Sequence, residues 1–189
     1  MNAPLPKPPL RMSRAEYRRW AEAQPRGRFE RVAGEVVAMA PERAAHNRVK
    51  QRAWRALDAA VRAAGLRCEA FGDGMTVEIG DDHDYEPDAV VNRGDRLPAD
   101  VVAASNPVVV VEVLSPSTRS TDTGAKLADY FRVPSVRHYL VLQAGFRQVI
   151  HHRRGEDGGT IETRVLAGGV LRLDPPGFDV AIADFYPED

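Results

Sequence analysis

Cysteine is nearly absent from this chain: Cys68 stands alone among 189 residues. One thiol cannot form an intrachain disulfide or a Cys-rich zinc site, and this usage suits a reducing cytoplasm. Long apolar runs are missing as well. None approaches the roughly 18 residues of a membrane span, so no membrane partner is expected. The opening stretch MNAPLPKPPLRMS is Pro-rich without an apolar centre, and it does not read as a signal peptide. Residues 1–12 read as a flexible lead-in, and residues 13–189 as a single domain. A surplus of one charge is lacking too: the net charge is −1, so bulk charge alone would not drive binding to a polyanion. No Gly-x-Ser-x-Gly elbow and no Walker-type loop occurs, and neither esterase-like nucleophilic chemistry nor ATP use is expected.

Charge is balanced in sum but segregated along the chain. Between Arg43 and Arg67 stand Arg43, Arg48, Lys50, Arg52, Arg55, Arg62 and Arg67 against Asp58 alone. The segment from Asp73 to Asp88 inverts this, with Glu78, Asp81, Asp82, Asp84 and Glu86 between them. Such a pairing suits a solvated helix face beside an acidic loop, or a phosphate-binding helix beside a metal-binding sheet edge.

Periodicity predicts a helix over Ser13–Ala23, with Ser13 and Glu16 at capping-box spacing. Phe29–Ala40 reads as a hairpin around Gly34. A long helix is predicted from Pro41 to Ala64, stopped by Gly65, with Val49, Ala53, Trp54, Leu57, Ala60, Val61 and Ala64 on one core-facing stripe. Strands follow at Arg67–Phe71, Met75–Ile79 and Asp88–Asn92, then a loop over 93–106. Pro107–Leu114 reads as a strand buried on both faces, Ser120–Arg132 as a second helix, and Arg137–Leu142, Gln148–His152, Glu162–Leu166 and Val170–Leu173 as further strands. The expected fold class is α/β: a mixed sheet flanked by helices, with hairpins added at each end.

The strand Pro107–Leu114 carries an anomaly, PVVVVEVL, with Glu112 set inside a valine run. A carboxylate there needs a partner, because burying an isolated charge is costly. Asp88, which follows Pro87 at the start of DAVV, would converge with Glu112 if the two strands were neighbours. Two close carboxylates repel unless a cation lies between them, and Mg²⁺ or Mn²⁺ suits hard oxygen ligands. The backbone carbonyl of Val113 could be a third ligand. A salt bridge to an arginine, or a cap on the turn after Leu114, would also explain Glu112. Asp122, Lys126 and Tyr130 are spaced to share one face of the second helix. Lys126 suits a surface pair with Asp122, or, beside a carboxylate pair, the orientation of water or the offset of phosphoryl charge. His83 reads as a solvated loop residue, and His151-His152 as part of a surface turn.

Pro87-Asp88, NPVVVVEVLSPST, then Asp122, Lys126 and Tyr130, then VRHYLVL together resemble the Uma2 family. Glu16-Tyr17, FERVAGEVVAM with Glu30, Gly34 and Glu35, Pro41 and His46 resemble its entry motif, so the likeness covers about residues 13–150. The resemblance implies a restriction-endonuclease-like fold of the PD-(D/E)XK superfamily. It also implies a Mg²⁺-dependent phosphodiesterase acting on DNA, with Asp88, Glu112 and the Val113 carbonyl as metal ligands. The superfamily's lysine position falls on Leu114, a departure, and Lys126 would be its relocated replacement. His46 and Glu35 are candidates for a second metal or for orienting the ligands, with a helix-start hydrogen bond and a strand-end salt bridge as their structural alternatives. A homodimer is expected, since two sites suit two strands. The alternative is a catalytically inactive binding or interaction module on the same fold.

Overall fold

The computed structural model of the chain describes residues 11–114 and 123–188. Its centre is β7 (Pro107–Leu114) in a six-stranded mixed sheet of order β10-β9-β8-β7-β6-β3. The other members are β3 (Cys68–Gly72), β6 (Ala89–Arg93), β8 (His138–Gln143), β9 (Val149–Arg154) and β10 (Ile161–Leu166). Only β7 and β8 run parallel; every other pair in this sheet is antiparallel. Successive side chains point to opposite faces of a strand, and the valine run is buried on both. Val109, Val111 and Val113 enter the core under the long helix α2 (Ala44–Ala63), whereas Val110 enters the layer beneath α3 (Thr123–Tyr130). Glu112 therefore shares the face of Val110 and lies on the α3 side.

Helix α2 buries Val49, Ala53, Leu57 and Val61 against this sheet and against the C-terminal hairpin of β11 (Val170–Leu173) and β12 (Phe178–Ala181). It begins at Ala44, three residues later than predicted from Pro41. Trp54 leaves the predicted stripe: it is 38% exposed and donates its indole N–H to the Ala70 carbonyl of β3. Gly65 stops the helix as expected. It sits at φ +62°, and the N–H groups of Gly65 and Leu66 close onto the last carbonyls of the helix.

At the other end, α1 (Arg14–Glu22) carries the predicted capping box between Ser13 and Glu16. The hairpin of β1 (Phe29–Val32) and β2 (Glu35–Ala38) turns through Ala33 and Gly34, both at positive φ. It is more than an appendage, because β5 (His83–Tyr85) and β4 (Val77–Ile79) extend it into a sheet of order β2-β1-β5-β4. The unforeseen strand β5 lies in the acidic segment. Asp84 within it is buried because Arg31 and Arg14 both bind it, so the charge pattern hid a paired strand. His83 is accordingly buried, not solvated, with Nδ1 2.9 Å from Asp82.

His151 and His152 also depart from expectation, lying within β9 and not in a surface turn. His138 Nε2 donates to the Pro175 carbonyl, so its Nδ1 accepts from His151 Nε2 at 2.9 Å. Burial lowers the pKa of His138 to about 3 and that of His151 to about 4, which keeps the pair neutral. Asp122, Ser115, Ser117 and Thr118 fall outside the described residues. No helix among the described residues is long and apolar enough to cross a membrane.

Leu57 has no exposed surface in the α2–sheet core. Leu57→Ala is expected to lower unfolding free energy by about 2–5 kcal/mol, against less than about 0.5 kcal/mol for Arg62→Ala on the exposed face. Urea denaturation with an unchanged m-value reads both.

Candidate active site

Three strands and two helices deliver charged side chains to one cleft of about 300 Å³, lined among others by Glu30, Glu42, Arg43, His46, Asp88, Glu112, Val113 and Lys126. Asp88 and Glu112 arrive together because β6 and β7 are neighbours, with Ala89 opposite Val111 and the Asp88 N–H on the Val111 carbonyl. Asp88 Oδ2 accepts the Val113 N–H at 2.6 Å, which ties the acid of one strand to the backbone beside the acid of the other. Asp88 is 5% exposed.

Glu112 is held from α3. Lys126 Nζ lies 3.0 Å and the Tyr130 hydroxyl 2.6 Å from the same oxygen, Oε1, and among the described residues nothing hydrogen-bonds Oε2. Lys126 and Tyr130 are four residues apart, so one helix face presents both. Lys126 is buried; it also reaches Glu30 Oε1 at 3.2 Å, and its ammonium lies 5.0 Å from the centre of the Tyr85 ring. Burial raises the Glu112 pKa most. Lys126 opposes this, while Asp88 and Glu30 add to the rise, and the group is pushed up to about 7. Burial and the neighbouring Glu112 raise Tyr130 well above the usual phenol range, so it remains a donor.

A second lysine, unremarked in the sequence beyond its place in the basic helix, holds the other acid. Lys50 is 3% exposed on α2, with Nζ 2.9 Å from Asp88 Oδ1, 2.8 Å from Asp73, and bound to Glu42. Desolvation works against its charge, but Asp88, Asp73 and Glu42 outweigh it and its pKa rises. Arg28 binds Asp73 and Glu86.

His46 stands at the site, where the Val113 carbonyl lies 2.6 Å from Nε2. A carbonyl only accepts, so Nε2 carries the proton and Nδ1 is the bare nitrogen. That atom is buried without a hydrogen bond, 3.8 Å from Glu42. Ligand atoms of Glu42, His46 and Asp88 lie within 4.8 Å of one another. Glu35 does not join the cluster. It is exposed at the turn end of β2, opposite Val32, and the hairpin acid that reaches the cleft is Glu30 on β1. Glu30 was legible only as part of a motif, because its role depends on β5 docking alongside: its Oε1 also accepts the Glu86 N–H at 2.9 Å.

The donor set fits a hard divalent cation. Among the described residues, Glu30, Glu42, Asp73, Glu86, Asp88 and Glu112 are paired with Lys50, Lys126 and Arg28, with His46 beside Glu42 and Asp88, a surplus of carboxylates that a cation would offset. The bare Nδ1 of His46 adds an imidazole donor at the same cleft.

The model of the Uma2 family, described as "Putative restriction endonuclease", matches residues 14–183. Two uncharacterized proteins of Synechocystis sp. are similar along most of their length. One, slr1290, is 27% identical, with 98% of this chain and 94% of the relative covered. The other, sll1609, is 27% identical, with 82% and 88% covered. Among solved structures, a putative nuclease belonging to DUF820 from Anabaena variabilis aligns with a TM-score of 0.70 at 15% identity, covering 93% of this chain and 97% of that one. At that identity the likeness establishes the fold.

The raised Glu112 pKa sets a pH dependence for the metal-free protein. Its folded value lies above the unfolded one, so its contribution is full below about pH 4.5 and is lost as pH rises through about 7. Between pH 5 and 8 in EDTA, wild type is expected to lose on the order of 1–3 kcal/mol relative to Glu112→Gln. Urea unfolding of both proteins across that range checks it.

Proposed function

The chain belongs to the Uma2 family of putative restriction endonucleases, and we propose that it is a metal-dependent endonuclease hydrolysing phosphodiester bonds of DNA. The observation that carries this reading is the contact of Lys126 with Glu112, beside Asp88, at an open cleft. It supplies in space the ammonium that Leu114 cannot supply in sequence. Asp88, Glu112 and the Val113 carbonyl would hold Mg²⁺ or Mn²⁺, with Glu42 and His46 beside them. When bound, such an ion polarises a phosphoryl oxygen and activates water.

The remaining chemistry belongs to the chain. Lys126, anchored by Glu112, Glu30 and the Tyr85 ring, would place positive charge where negative charge grows on the phosphoryl group. Tyr130 fixes the Glu112 carboxylate by donating to Oε1. His46 orients the Val113 carbonyl, and Lys50 holds Asp88 from behind. Arg43, exposed on the cleft wall, suits a contact with backbone phosphate, which would position the duplex without reading its sequence. Glu35, exposed on β2, has no role in this scheme.

Nicking or linearisation of plasmid DNA under Mg²⁺ or Mn²⁺ tests the reading. Cleavage is expected to vanish in EDTA and with Asp88→Ala or Glu112→Ala. Lys126→Ala is expected to lower the rate about 10²–10⁴-fold with metal affinity largely kept, the size seen when one charge-stabilising or proton-transfer group is lost. DNA binding indifferent to EDTA, with no turnover on any DNA form, would overturn it in favour of an inactive binding module.

A further inference from the structure

The six-stranded sheet has two edges, and they are finished differently. At the β3 edge, Trp54 donates to the Ala70 carbonyl and the Glu69 carboxylate accepts the Leu97 N–H. At the β10 edge nothing comparable is present among the described residues. Strand β10, IETRVL, contains no proline, and its register against β9 is unbroken from Ile161 to Leu166. Ile161 is 43% and Val165 60% exposed. An unprotected edge with exposed β-branched residues is a template for another strand.

The backbone phase shows which groups are free. Arg154 N–H donates toward β8, to the Arg137 carbonyl, and Gly155 N–H donates to the Thr160 carbonyl. Backbone groups alternate sides along a strand, so Glu162 and Arg164 face β9, while Ile161, Thr163 and Val165 turn their N–H and C=O outward. The side chains follow the same alternation. Thr163 bonds His152 across the pair, which sets Ile161, Thr163 and Val165 on the α3 side and Glu162 and Arg164 on the other.

We propose that β10 is the interface of a homodimer, in which two copies pair antiparallel about a two-fold axis through Thr163. In this register Ile161 meets Val165 of the second copy and Glu162 meets its Arg164, each twice by symmetry. The outward backbone groups of Ile161, Thr163 and Val165 then bond to each other. The sequence discriminates against neighbouring registers: moving the axis one residue sets Glu162, or Arg164, opposite itself, and like charges directly opposite are destabilising. The occupant is a second copy because the segment complements itself in both charge and shape, as a two-fold interface requires. The proposal names the surface for the dimer expected of a two-strand cutter, and its test does not depend on cleavage.

Sedimentation equilibrium on the full chain is expected to show a dimer. Glu162→Lys and Arg164→Glu, each alone, are expected to weaken it at least about tenfold, and the double swap E162K/R164E to restore it. Thr163→Cys on a Cys68→Ala background is expected to cross-link two copies under mild oxidation, whereas Gly159→Cys, which has no facing copy of itself, is not. A wild-type monomer at 100 µM would overturn the proposal (a concentration of about 100 µM detects even weak pairs). So would a dimer indifferent to the single reversals, a double swap that stays dissociated, or a Thr163→Cys that does not cross-link.

Discussion

The ammonium of Lys126 against the carboxylate of Glu112 is the contact on which the rest of the site depends. Glu112 is largely withdrawn from solvent, its side chain 12% exposed, near the end of a strand made otherwise of apolar residues, where a lone carboxylate would be costly. Lys126 and Tyr130 meet that need from α3, but both reach only one of its oxygens. The pKa stays high because burial, Asp88 and Glu30 outweigh the lysine. The result is a carboxylate whose charge the surrounding side chains only partly offset.

The surrounding architecture keeps two like charges close without collapse. Asp88 is pinned by Lys50 on one oxygen and by the Val113 N–H on the other, while Lys126 serves Glu112. Each acid thus has its own lysine, from opposite layers: Lys50 from α2 and Lys126 from α3. The sheet between them sets the spacing. Losing either helix would leave a buried charge uncompensated, so packing of the two hydrophobic layers and assembly of the site are one process.

Much of this was legible in the chain. The PD step, the valine strand broken by Glu112 and the i,i+4 spacing of Lys126 and Tyr130 are local patterns; the fold sets β6 beside β7 and brings Lys126 and Tyr130 to one oxygen of Glu112. Leu114 stands where the resemblance implies a lysine, and Lys126 from α3 reaches Glu112 at 3.0 Å. What escaped depends on tertiary pairing. Lys50 lies among arginines in a basic run, and only its three carboxylate partners distinguish it. Glu30 and Glu35 are alike as letters and share one face of the hairpin, but Glu30 lies opposite Val37 beside the cleft, whereas Glu35 lies exposed at the turn end. β5 reads as a solvated acidic loop until Arg31 and Arg14 are seen to neutralise Asp84. His138 and His151 are thirteen residues apart and meet only because β8 and β9 pair.

The central claim is that Asp88 and Glu112 share one cation beneath Lys126. A crystal grown with Mn²⁺ and measured at its absorption edge tests this most directly. The account predicts an anomalous peak contacting both carboxylates and the Val113 carbonyl. A peak bound by Glu42 and His46 with Glu112 still bonded to Lys126 and uninvolved, or no peak at the cleft at saturating Mn²⁺, would contradict it.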